Sequence, residues 1–313
     1  MSCIITQKWG SIYDPTYNAQ PPQKNIPPPK ATQCISFVGI GSHTHSFACC
    51  RRNVVGRLLV VGRWIFSVIA LCDLTVSYQG HPALHHISGR FERGSLTAIV
   101  GPNGSGKSTL LKSMAGLLEM DGGLVNGTIE WENPAKRIAY LPQLNSIDRH
   151  FPITVKECVL LGSWGRVGGF GEINKRALAQ VTVALESVGL HGFETRALGT
   201  LSSGQLQRVL FARLLVQDAK LILLDEPFNA VDTQTTAALL AMVTRWHHEK
   251  RTVVAVLHDE TQVLRHFPQT LILARELVDW GPSSQVLTQT NFKKTQAMSE
   301  AWDEQAEFCK RNV

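Results

Sequence analysis

The sequence predicts an α/β domain built on a mostly parallel sheet, and three observations carry that expectation. Short apolar runs at 96–100, 221–224, 253–257 and 271–273 are continuous rather than alternating, as in strands buried on both faces. Between them lie stretches whose apolar side chains recur at helical spacing. At 44% hydrophobic and 18% charged over 313 residues, the chain has the material for a sizeable core, which excludes a wholly disordered protein.

Taken in order, residues 1–66 read as a basic, proline-containing, disordered extension. They hold six of the 14 prolines and seven basic side chains against Asp14 alone, so the net charge of +6 lies entirely there. Residues 67–313 balance at 24 basic and 24 acidic, which argues against nucleic acid as a partner. Seven scattered cysteines and the absence of a secretory leader pattern point to a reducing compartment. The apolar window from Val54 to Cys72 contains Arg57 and Arg63 and runs into a strand, so it is not read as a membrane span. His43, His45, Cys49 and Cys50 have zinc-compatible side chains without a scaffold, and His85-His86 and His247-His248 are adjacent pairs that rarely ligate together; none is read as a metal site.

The folded domain begins with a half-buried strand over 67–77, in which Val68, Ala70, Cys72, Leu74 and Val76 are expected to face inward. A helix is expected over Ser108–Leu118, another over 174–188 capped by Asn174, and another from Asp232 to Glu249. Residues 293–313 are expected to end the chain as a helix around Met298, Trp302, Ala306 and Phe308.

The chemistry enters at Gly101-Pro102-Asn103-Gly104-Ser105-Gly106-Lys107-Ser108, which fits G-x-x-x-x-G-K-[ST] and directly follows the run Leu96–Val100. Such a loop wraps phosphates with backbone N–H groups at a helix N-terminus. Lys107 then reaches the terminal phosphates, and Ser108 offers a hydroxyl to Mg²⁺. Downstream, Leu221–Leu224 ends in Asp225 and Glu226. Two carboxylates at the end of a buried strand need a cation or a reacting water: Asp225 suits Mg²⁺ and Glu226 suits polarising water.

Leu201-Ser202-Ser203-Gly204-Gln205, about 15 residues before that strand end, resembles the signature of ABC ATPases, usually Leu-Ser-Gly-Gly-Gln. The resemblance covers about 69–287 and implies the rest of the reading. The fold becomes a phosphate-loop NTPase core with an antiparallel β subdomain and an inserted helical subdomain at about 144–205, within an ATPase domain over 67–290 followed by a tail at 291–313. Residues Gly101 to Ser108 together with Thr109 would bind ATP, and Tyr78 would stack on its adenine. Gln143 would act as the glutamine that senses the site and joins Ser108 and Asp225 at Mg²⁺. Asp232 would belong to the D-loop, and His258 would be the switch histidine beside the catalytic Glu226 and Lys107. Ser202, Ser203, Gly204 and Gln205 would act in trans on ATP held by a second copy in a head-to-tail homodimer.

Residues 145–194, together with Leu224–Ala230, resemble the ATP-binding subunits of zinc and manganese importers, nearest those of the zinc type. This implies a peripheral place on the cytoplasmic face of the membrane, under a separate permease supplied by a solute-binding protein. A manganese or iron importer is the alternative cargo. Ser203, where the signature has glycine, keeps open a slow-turnover regulatory module if that position needs positive φ or a close approach of its N–H to phosphate.

Overall fold

A computed structural model of the chain describes residues 67–300 apart from 133–137, 169–171 and 230. The expectations for residues 1–66, with their histidine–cysteine cluster, and for 301–313 lie outside the described residues. The strands are β1 (Ser67–Tyr78), β2 (His81–Glu92), β3 (Leu96–Val100), β4 (Gly123–Trp131), β5 (Ile138–Leu141), β6 (Leu221–Asp225), β7 (Thr252–Val256), β8 (Gln269–Ala274) and β9 (Glu276–Pro282). The helices are α1 (Lys107–Ala115), α2 (Val155–Leu160), α3 (Trp164–Val167), α4 (Lys175–Ser187), α5 (Ser203–Gln217), α6 (Thr233–His248), α7 (Glu260–His266), α8 (Ser283–Val286) and α9 (Gln289–Glu300).

The continuous apolar runs become the main sheet, ordered β5-β6-β7-β3-β8-β9, in which only β9 is antiparallel to its neighbour. Successive residues of these strands serve opposite cores. Ala98, Val100, Ile222, Leu224, Val253 and Ala255 face a core completed by α5 and α6, where Phe211 and Trp246 stack with ring centroids 5.7 Å apart and planes 7° off parallel. Ile99, Leu221, Leu223, Val254, Val256 and Leu271 face a second core shared with α1 and the antiparallel sheet β2-β1-β4. Burial on both faces explains why these strands show no alternation in the sequence.

β1 corrects one expectation. Its inward set is Ile69, Leu71, Leu74 and Val76 rather than a single alternating series, because the register shifts between Leu71 and Leu74, where Asp73 adopts φ +54°. A bulge of this kind moves the following side chains to the other face. β2 and β4 were not legible individually: β4 is an edge strand with Leu124 and Val125 exposed, so it lacks a burial pattern to read. Trp280 of β9 packs on Phe91 of β2 at 4.6 Å between ring centroids, and a Cβ at Gly89 would overlap the Trp280 ring. This seam joins the two sheets.

The helices start where capping residues were expected. Asn174 Oδ1 accepts from the Ala177 N–H at 2.9 Å, and Asp232 Oδ1 accepts from the Thr235 N–H at 2.8 Å. α1 stops at Ala115 rather than Leu118, because Gly116 takes the left-handed conformation and returns its N–H to the last turn. α9 begins at Gln289, ahead of the expected boundary at 290. It is tied to β9 by Asn291 Nδ2, which donates to Asp279 Oδ2 at 2.7 Å. Among the described residues, no helix is long and apolar enough to cross a membrane.

Candidate active site

β3, β5, β6 and β7 are parallel neighbours, so their carboxyl ends open on one edge of the sheet, where ligands bind in folds of this kind. That edge gathers the residues singled out in the sequence. β3 delivers 101–106 into α1, β5 leads to Gln143, β6 ends in Asp225 followed by Glu226, and β7 leads to His258.

The loop after β3 is tightly seated. A Cβ at Gly101 would overlap the Leu273 carbonyl, and one at Gly106 (φ +88°) would overlap the Ala83 carbonyl. The Ser105 carbonyl accepts from the Arg275 N–H at 3.0 Å, while the buried Ser105 hydroxyl has no partner. Lys107 opens α1 with its side chain turned into the loop, where Nζ donates to the carbonyls of Gly101 at 2.9 Å and Pro102 at 2.7 Å. Burial lowers the pKa of this ammonium, opposed by the charges of Glu226 and Asp225. A buried cation, an orphaned hydroxyl and a helix N-terminus around one loop suit a phosphate chain.

The carboxylates complete the other wall. Asp225 is 1% exposed, and burial pushes its carboxyl up, against hydrogen bonds from Ser108 Oγ at 3.0 Å and Tyr140 OH at 3.4 Å. Glu226 stands just past the strand at φ +50°. Its Oε1 lies 2.9 Å from both Gln143 Nε2 and His258 Nε2, and its Oε2 accepts from Asn229 Nδ2 at 2.9 Å. Burial raises the pKa of Glu226, but the hydrogen bonds from His258 and Asn229 and the charges of His258 and Lys107 outweigh it, so the group sits below its ordinary value. Gln143 Nε2 also reaches Ser108 Oγ at 3.2 Å. Lys107, Ser108, Gln143, Asp225, Glu226 and His258, far apart in the chain, thus form one cluster.

Tyr78 ends β1 half-buried with its ring against Gly123, and burial raises the pKa of its hydroxyl, opposed by the nearby Thr109 side chain. The signature forms a capping box. Ser202 Oγ accepts from the Gln205 N–H at 3.2 Å, and Gln205 Oε1 accepts from the Ser202 N–H at 3.0 Å. Ser203 is the first residue of α5 and has no positive φ, so its Cβ carries no backbone strain. Of the two steric conditions attached to this position, positive φ is therefore absent. Gly204 faces the start of α6, where a Cβ would come 3.3 Å from Asp232 Oδ2. The sequence offers Tyr140 and Asn229 only as neighbours within the motifs of Gln143 and Asp232, whereas the structure brings Tyr140 OH to Asp225 and Asn229 Nδ2 to Glu226. Each stands three residues from a recognised one, Gln143 and Glu226, which was the available signal.

Phosphate loop, paired carboxylates and parallel core define a nucleoside-triphosphate-hydrolysing domain. The ABC transporter family profile matches residues 84–229. The manganese transport system ATP-binding protein MntB of Listeria monocytogenes is 39% identical over 220 residues, covering 69% of this chain and 90% of that protein. The zinc transport system ATP-binding protein TroB of Treponema pallidum is 40% identical over 210 residues, covering 67% and 79%. A solved structure of a metal-chelate type ABC transporter facing inward superposes with a TM-score of 0.64 at 26% identity, over 74% of this chain and 89% of the other. The chain belongs to the ABC transporter family, as an ATP-binding and ATP-hydrolysing domain.

Proposed function

We propose that the chain is the ATPase subunit of an importer of a divalent transition metal, zinc before manganese, working as a head-to-tail homodimer on the cytoplasmic face of the membrane beneath a separate permease that a solute-binding protein supplies. The observation that carries the catalytic part is the convergence of Gln143, Asn229 and His258 on Glu226, 2.9 Å from each. The cargo rests on the likeness to the manganese and zinc system subunits.

In this reading the 101–109 loop holds the phosphates, Tyr78 takes the adenine, and Lys107 exchanges its loop carbonyls for phosphate oxygens. Glu226, ionised at neutral pH, accepts the proton of a water aimed at the γ-phosphate, while His258 and Asn229 fix its two oxygens. Mg²⁺ fits the donor set. Ser108 Oγ and the buried carboxylate of Asp225 are hard oxygen donors 3.0 Å apart, and Gln143 carries an amide oxygen beside them. When bound there, the ion would neutralise developing phosphate charge. Ser203 and Gly204 open α5 with N–H groups that have no intrahelical acceptor, and the second copy's γ-phosphate would accept from them.

Two experiments test this. Glu226→Gln should bind ATP normally, hydrolyse it about 10²–10⁴-fold more slowly, and accumulate as an ATP-bound dimer; wild-type turnover removes the general-base assignment. A strain without the chain should stop growing under zinc chelation and recover with added zinc. Rescue by manganese alone would change the cargo and leave the ATPase intact.

A further inference from the structure

The loop that leaves Gln143 and the loop that enters the signature are zipped together. Thr154 and Ala197 form an antiparallel bridge. The Val155 N–H donates to the Arg196 carbonyl at 2.9 Å, the Lys156 N–H to the Glu194 carbonyl at 3.0 Å, and the Leu198 N–H to the Ile153 carbonyl at 3.1 Å. Gly199 lies so near that a Cβ there would stand 2.8 Å from the Arg149 carbonyl oxygen. This ribbon ends at Ser203, whose hydroxyl accepts from Arg149 Nη2 at 3.1 Å.

Ser202 and Gln205 spend their side chains on each other in the cap, and Gly204 has none. The Ser203 hydroxyl is therefore the side-chain group of this first turn that ties it to another segment. A glycine, the usual residue in the signature, offers no such acceptor. A cationic donor suits the task because the hydrogen bond to the hydroxyl is then charge-assisted, so a lateral shift of α5 is resisted.

We propose that Arg149 is a positioning residue for the signature. Through Ser203 it clamps the first turn of α5 to the ribbon that starts at Gln143, whose amide touches both Ser108 and Glu226. A displacement at the phosphate site then carries the signature with it as one body, and α5 meets the nucleotide of the second copy in a fixed orientation. The inference rests on the head-to-tail dimer reading.

The test uses full-length Glu226→Gln protein as the parent, with Ser203→Gly, Ser203→Ala, Arg149→Ala, Arg149→Lys and the double variant Ser203→Gly/Arg149→Ala built on it. The affinity of the monomer for fluorescent ATP should match the parent throughout, since neither residue touches the chain's own phosphate loop, and thermal unfolding should fall by no more than about 2–4 °C, the scale of one lost hydrogen bond in a domain of this size. Dimerisation driven by MgATP, followed by sedimentation, should weaken about 5- to 10-fold in Ser203→Gly, Ser203→Ala and Arg149→Ala, the scale of one charge-assisted hydrogen bond between partly exposed groups. The double variant should be no worse than either single one, and Arg149→Lys should retain most of the effect. Single variants that dimerise like the parent, or a double variant showing additive losses, overturn the clamp. A parent that stays monomeric with MgATP overturns the dimer reading and the clamp with it.

Discussion

Asp225, which the proposed function places at Mg²⁺, burdens the fold. Its carboxyl is buried at the end of β6, and burial pushes its pKa above the ordinary value in spite of donors from Ser108 and Tyr140. A folded-state value above the unfolded one means that the ionised form opposes folding. That penalty is fully present above the folded pKa and disappears below the unfolded one. Asp225→Asn should therefore raise the melting temperature of the nucleotide-free protein at neutral pH while hydrolysis is lost, and the gain should shrink as the solution is acidified through the carboxylate range. Calorimetry with and without acidification checks both halves; an Asn variant that melts lower at neutral pH contradicts the argument. Lys107, Ser108, Asp225 and Glu226 were legible because the chemistry fixes residue type and spacing along a single strand or loop. The contact of Asn229 with Glu226 was not, since Glu226 stands at φ +50°, a conformation the sequence does not announce.

At the scale of elements, caps and close approaches decide more than apolar periodicity. Ser202 closes the N-terminus of α5 by its hydrogen bond to Gln205, so Ser202→Ala should cost about 1 kcal/mol and lower the melting temperature by about 2–4 °C in a domain of this size. Gly89 gives the opposite kind of failure. With the Trp280 ring in the space a Cβ needs, Gly89→Ala forces the β2–β9 seam apart, for which overpacking of about 1–3 kcal/mol is expected. Thermal unfolding of the two variants checks these values, and unchanged melting in Gly89→Ala would mean the seam yields without strain. The central strands were readable as continuous apolar runs, and α4 and α6 from their capping residues. The inward face of β1 was read correctly at Leu74 and Val76 but wrongly before the bulge at Asp73, where Ile69 and Leu71 face the core, because a period of two carries no mark of a local shift.

For the whole molecule, the residues that make up the two cores run from Ile69 to Val286 among the described residues. A chain shortened to 67–313 should therefore unfold cooperatively and hydrolyse ATP as the full chain does, while losing its excess positive charge. Loss of the cooperative transition in calorimetry would contradict that expectation. The two-sided sheet also has an optical consequence. Trp246, 1% exposed, lies face to face with Phe211 in one core, while Trp280 packs against Phe91 on the other side of the sheet. Indole fluorescence follows the polarity around the ring, so each core carries its own lamp. With the remaining tryptophans replaced, Trp246 should emit at short wavelength and resist acrylamide. Loosening confined to the antiparallel sheet would redden Trp280 while leaving Trp246 dark to the quencher.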